Sequence, residues 1–154
     1  MAWSHRQFLK AMALLLAAPA VLGARVARAL ERNKKAFDAR SPKDVLAALN
    51  AATAAESKSI VLRVPDVAAD GDQVEVQVAS KIPKTELISL LVHGNAQPLA
   101  LSVAILPGAE PALSTVLHLR KTSVVTVVVQ ADGKTFRVAR EVKVATALPC
   151  DRAS

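Results

Sequence analysis

Val124-Val125-Thr126-Val127-Val128-Val129-Gln130-Ala131-Asp132-Gly133-Lys134-Thr135 is the stretch that decides the fold. Asp-Gly between two β-branched runs is a strong hairpin signal, because a tight turn of this kind needs positive φ at both central residues. It joins a strand over residues 123–130 to one over 135–144. Working back towards the N-terminus, Val74-Glu75-Val76-Gln77-Val78 alternates strictly between apolar and polar residues, as a half-buried strand does. Short β-type runs at 60–64, 87–92, 100–106 and 114–119 bring the number of strands to seven. Before them, Ser41-Pro42-Lys43-Asp44 opens a helix with a capping Ser, a Pro at the first helical position and an acid in the first turn. Val45, Leu46 and Leu49 give that helix one apolar stripe, and it is expected to end near Ala55. Residues 30–40 are charged and mixed, and read as a linker or frayed arm. The pattern predicts a mainly β chain: an immunoglobulin-like antiparallel β-sandwich preceded by one short N-terminal helix.

Two strands are unusual for a solitary sandwich. The runs 124–129 and 87–92 are apolar on both faces, whereas a solvated sheet face alternates. Either the N-terminal helix covers one outer face or a partner subunit packs on the sheet, and the two are compatible.

The chain of 154 residues allows one domain after a leader. Met1-Ala2-Trp3-Ser4-His5-Arg6-Gln7-Phe8-Leu9-Lys10 is followed by an apolar run over 11–23 and then by Ala27-Arg28-Ala29, a small-residue cleavage site. The apolar run is too short to span a bilayer comfortably. Residues 1–29 are therefore expected to be a cleaved export signal, which places the chain in the periplasm with no stable membrane insertion. Ser4-His5-Arg6-Gln7-Phe8-Leu9-Lys10 resembles a twin-arginine signal with His5 in place of the first arginine. The whole chain has 20 Lys+Arg against 13 Asp+Glu. Arg6, Lys10, Arg25 and Arg28 fall in the leader, so the remainder carries only a small positive excess, and nucleic acid is not expected as a partner. Trp3 and Phe8 also belong to the leader. Only Phe37 and Phe136 remain, too few for a base-stacking platform.

Most catalytic constellations are missing from the sequence. It has no Gly-rich phosphate loop, no G-x-S-x-G elbow, no H-E-x-x-H and no paired-Cys metal spacing, so neither a cofactor nor a metal is expected. His93 and His118 sit at a strand end and within a strand, where packing or surface roles are the ordinary case. Asp66, Asp70 and Asp72 around Gly71 lack the ligand spacing of calcium loops and read as a turn. Cys150 is different. It is the single cysteine, so in an exported chain it is a free thiol or an intermolecular link. The last strand is expected to end near Val144, which puts Cys150 on a tether reaching up to roughly 20 Å. A thiol on such a tether suits a carrier better than an enzyme, since no base is fixed beside the sulfur.

Several blocks, in order, resemble the SoxY family, the sulfur-carrying subunits of the thiosulfate-oxidation (Sox) system. They are Ser59-Ile60-Val61-Leu62-Arg63-Val64-Pro65-Asp66-Val67-Ala68 with Gly71, Pro98-Leu99-Ala100, Leu106-Pro107-Gly108-Ala109-Glu110-Pro111 with Ser114-Thr115, Ala131-Asp132-Gly133-Lys134, and Glu141-Val142-Lys143-Val144. The resemblance implies a SoxY-like sandwich over 30–144, a C-terminal arm over 145–154 with Cys150 as the site of covalent sulfur attachment, and a heterodimer with a SoxZ-like β-sandwich subunit. It further implies partner enzymes that do the chemistry: a haem-containing thiosulfate-loading protein, a sulfate-releasing hydrolase and a sulfane dehydrogenase. The carrier itself is not an enzyme. The family arm ends Gly-Gly-Cys-Gly-Gly, whereas this one reads Ala147-Leu148-Pro149-Cys150-Asp151-Arg152-Ala153-Ser154, without glycine. The rival reading is a non-carrying interaction or scaffold module, for which Cys150→Ser is harmless while Val127→Asp abolishes function.

Overall fold

The computed structural model describes residues 34–145. The expected leader, residues 1–29, lies outside that range. Residues 34–38 are helical, and Ala36 among them is fully buried, so the latter part of the expected linker is packed structure. Helix α1 spans Pro42–Ala48, with the Ser41 hydroxyl accepting from the Lys43 N–H at 3.3 Å. It stops one turn or more before Ala55. Asn50 takes a left-handed φ of 54°, and the Asn50 and Ala51 N–H groups turn back onto the Ala47 and Leu46 carbonyls at 3.0 and 2.7 Å. This closes the last turn as a glycine C-cap would.

Nine strands follow: β1 Ala55–Glu56, β2 Ile60–Arg63, β3 Val67–Ala68, β4 Val74–Ser80, β5 Thr85–Val92, β6 Leu99–Ala104, β7 Ala112–Leu117, β8 Ser123–Ala131 and β9 Lys134–Val144. Seven of them are the strands read from the sequence. The two additions, β1 and β3, are two-residue strands that both pair in parallel with β9. The larger sheet runs β1-β9-β8-β5-β6 with β3 also on β9, and the smaller runs β2-β4-β7. The β8–β9 turn has φ of 49° at Asp132 and 73° at Gly133, the two positive values that the Asp-Gly pair predicted. The fold is the mainly β sandwich expected.

Period two sorts the side chains between two cores. Ile88, Leu90, Val92, Val125, Val127 and Val129 point between the sheets and meet Ile60, Leu62, Val74, Val76, Val78 and Leu117. Their neighbours Leu91 and Val128 point outward and join Leu99 under Ala36, Val45, Leu49 and Ala51. The doubly apolar strands are therefore covered on their outer face by the N-terminal helical segment. Gln130 Nε2 ties the two together, donating to the Leu49 carbonyl at 2.8 Å across 81 residues of sequence. Gln130→Ala leaves that helix-end carbonyl unpaired and is expected to cost about 1 kcal/mol, read as a lower midpoint in thermal unfolding.

Candidate functional site

The sequence placed the chemistry on a tether, so the site in the described structure is the tether's root. At the end of β9, three neighbouring amides are held. Lys143 N–H donates to the Asp66 carbonyl and Ala145 N–H to the Ala68 carbonyl, both at 2.9 Å, while Val144 N–H donates to Thr122 Oγ1 at 3.1 Å. Behind them, Leu119 N–H donates to the Gly71 carbonyl at 2.6 Å. A Cβ at Gly71 would collide with the Leu119 carbonyl oxygen and crowd Val144, so only glycine lets the β3–β4 loop lie this close to the root. Asp70 Oδ1 accepts from Asp72 N–H at 2.9 Å, so the turn read from sequence is found at Asp70–Asp72, while the residues after Asp66 form β3 instead and the main-chain oxygen of Asp66 serves β9.

Cys150 lies outside the described residues. It is five positions beyond Ala145, a span of up to roughly 17 Å. Beside the root, an open groove of about 630 Å³ is lined on one side by Val67, Ala68 and Asp70 and on the other by Arg63, Glu75 and Gln77. Sequence reasoning missed β3, which forms both the clamp and the groove wall. Two residues are too few to show a period; the one available signal was Gly71, which already stood among the family-like blocks.

The two histidines do not join the root as a pair. His118 is exposed, and its carbonyl accepts from Asn95 Nδ2 at 3.1 Å. His93 Nε2 lies 3.0 Å from Thr126 Oγ1, and desolvation by burial holds its imidazole below the ordinary 6.5. The folded state therefore favours the neutral ring, and the unfolded chain takes up the proton first as pH falls. Stability contributed at His93 is full above about 6.5 and declines as pH drops towards the folded value. His93→Gln is expected to flatten that part of the decline, measured as thermal midpoints across mildly acidic pH.

No helix among the described residues is long and apolar enough to cross a membrane. A search of curated proteins gives no significant match. Among solved structures, the sulfur carrier protein SoxY from Chlorobium limicola f thiosulfatophilum matches with 36% identity, covering 67% of this chain and 96% of that one, at a TM-score of 0.60. A superoxide reductase (neelaredoxin) from Ignicoccus hospitalis, 21% identical over 56% of this chain and 80% of its own, aligns at a TM-score of 0.51 and shares the fold alone. A family model described as "Sulfur oxidation protein SoxY" matches residues 45–147, which takes in all nine strands and the clamped root. By both that span and the Chlorobium likeness, the chain belongs to the SoxY family.

Proposed function

We propose that this chain is a periplasmic sulfur carrier, in which residues 1–29 direct export and are removed, residues 30–144 form the carrier domain, and the arm over 145–154 holds sulfur-oxidation intermediates on Cys150. The observation that carries the reading is the clamped end of β9: a rigid domain delivers one cysteine-bearing segment from a fixed point. The solved relative is itself a sulfur carrier. In the proposed cycle a haem protein removes two electrons and a proton as the Cys150 thiol and thiosulfate join through a new sulfur–sulfur bond. A hydrolase then adds water across the terminal sulfur–sulfonate bond, releasing sulfate and leaving a persulfide on Cys150 for a sulfane dehydrogenase. The chain supplies the attachment point and its partners supply the catalysis. A SoxZ-like β-sandwich subunit completes the carrier as a heterodimer.

The scaffold reading draws on one observation, the arm's chemistry. Pro149 fixes its own φ and restricts Leu148, where the family's glycines leave the backbone free. Intact-mass spectrometry of the protein purified without reductant from its host, grown on a reduced sulfur compound, separates the two. Reductant-labile sulfur adducts on the chain support carriage, whereas a bare thiol throughout growth rejects it. Sedimentation of the co-expressed pair with a SoxZ-like subunit tests the heterodimer, and two separate boundaries at micromolar concentration would exclude it.

A further inference from the structure

Edge strands invite pairing with another chain, and proteins blunt them with covering strands, charges or bulges. Among the described residues, β9 is covered on its outer side by β1 and β3. β2 ends in Arg63 and lies against β9, and β6 carries a register shift against β5. β7 has none of these devices. Among the described residues it pairs with β4 alone, from Ala112↔Ala79 to Leu117↔Val74 without a shift. Glu110 is the single charged residue in the stretch 94–117.

The ladder to β4 decides which backbone groups of β7 are open. Ser80 N–H donates to the Pro111 carbonyl at 2.8 Å, and bonded pairs alternate along an antiparallel ladder. Leu113, Thr115 and Leu117 therefore bond to β4, whereas the main chain of Ala112, Ser114 and Val116 turns outward. The Ala112 N–H folds back onto the Glu110 carbonyl at 2.9 Å. That leaves open the Ala112 carbonyl and both main-chain groups of Ser114 and Val116. The side chains of all three residues are exposed, Val116 by 54%.

This open set is symmetric about Ser114. With a second β7 laid antiparallel and Ser114 on the twofold axis, each Ser114 N–H meets the other copy's Ser114 carbonyl. Each Val116 N–H meets the other copy's Ala112 carbonyl, the one group that Ala112 leaves open. On the exposed face, Val116 then lies beside the small Ala112 side chain of the other copy. Charge agrees with this register: exposed Glu110 lies past one end of β7 and exposed His118 past the other, so the twofold axis brings each carboxylate towards an imidazole. The geometry points to β7 as a strand-to-strand contact between two copies of this chain, joining their smaller sheets into one. The contact rests on a few main-chain bonds at the surface, so it is weak and depends on concentration. It uses neither Cys150 nor the root at β9, and its failure leaves the carrier reading untouched.

Sedimentation equilibrium of the purified chain tests the contact, with reductant present so that Cys150 cannot link two copies. The native chain is expected to show a reversible monomer–dimer equilibrium. In this register position 114 faces itself, and like charges directly opposite one another destabilise a ladder. Ser114→Asp and Ser114→Lys are each expected to raise the dimer dissociation constant about fivefold. An equal mixture of the two variants is expected to associate at least as tightly as the native chain. Ser114 is exposed, so both changes spare the core. A native chain that stays monomeric, variants that dimerise like the native chain, or a mixture no tighter than either variant alone would each overturn the self-pairing. So would a native monomer whose binding to a SoxZ-like subunit is lost in Ser114→Asp, which gives the edge to a different strand.

Discussion

Cys150→Ser is expected to remove every sulfur adduct from the protein and to stop thiosulfate-dependent respiration in a host relying on this carrier alone. Serine replaces the sulfur with an oxygen whose hydroxyl does not form the sulfur–sulfur bond that the proposed cycle requires, so the loss is complete. The fold supplies the control. Cys150 lies beyond the clamped Ala145 and outside the matched residues 45–147, so the substitution is expected to leave the thermal midpoint of the domain unchanged. The paired measurement is intact mass and oxygen uptake on thiosulfate, with unfolding followed alongside. A Cys150→Ser strain that respires thiosulfate at the wild-type rate would sink the carrier assignment, and the scaffold reading would take its place.

The second large effect falls on the domain itself. Val127 is fully buried in the middle of β8, in register with Leu90 of β5 on one side and Val138 of β9 on the other. Val127→Asp sets a carboxyl between the sheets with no partner, where it must either stay charged without solvent or take up a proton against its normal tendency. The expected cost exceeds about 4 kcal/mol, a large part of the roughly 5–15 kcal/mol that holds a domain of this kind together. Circular dichroism is expected to show loss of the cooperative melt. Val116→Asp makes the comparison: Val116 is 54% exposed on β7, and the same change there is expected to stay within about 1 kcal/mol. Native-like melting of Val127→Asp would contradict the packing described. Because a variant that unfolds the chain abolishes carriage and scaffolding alike, Val127→Asp tests the packing, and the choice between readings falls to Cys150→Ser.

The parts of the fold legible in the sequence were those where one residue type decides the backbone or where a period runs long enough to see. Asp132-Gly133 announced its turn because positive φ at two consecutive positions admits few residue pairs. Val74–Val78 announced its buried face because three valines stand two apart. The end of α1 was missed: the alanines after Leu49 favour helix, yet Asn50 in left-handed geometry closes the last turn before they are reached. The double apolarity of β5 and β8 was visible, but its cause was not. It took the packing of Ala36, Val45, Leu49 and Ala51 on Leu91 and Val128 to show that the chain covers its own sheet. At the site, Cys150 stood out by being single, whereas β3 and the bonds that Asp66 and Ala68 make to β9 arise from pairings across more than 70 residues that no local pattern encodes.

The way β9 is held has a mechanical consequence. The strand is in register with β8 from Lys134↔Ala131 to Val142↔Ser123, and it exits at its C-terminal end beside β3. A force applied to the chain beyond Ala145 acts along the strand axis, so the cross-strand hydrogen bonds, which lie perpendicular to it, share the load in shear instead of opening one by one from an edge. Under the proposed function, an enzyme acting on Cys150 would pull on a strand paired with β8, β1 and β3. Traction at the tip is borne by the whole sheet, and the domain resists being unzipped.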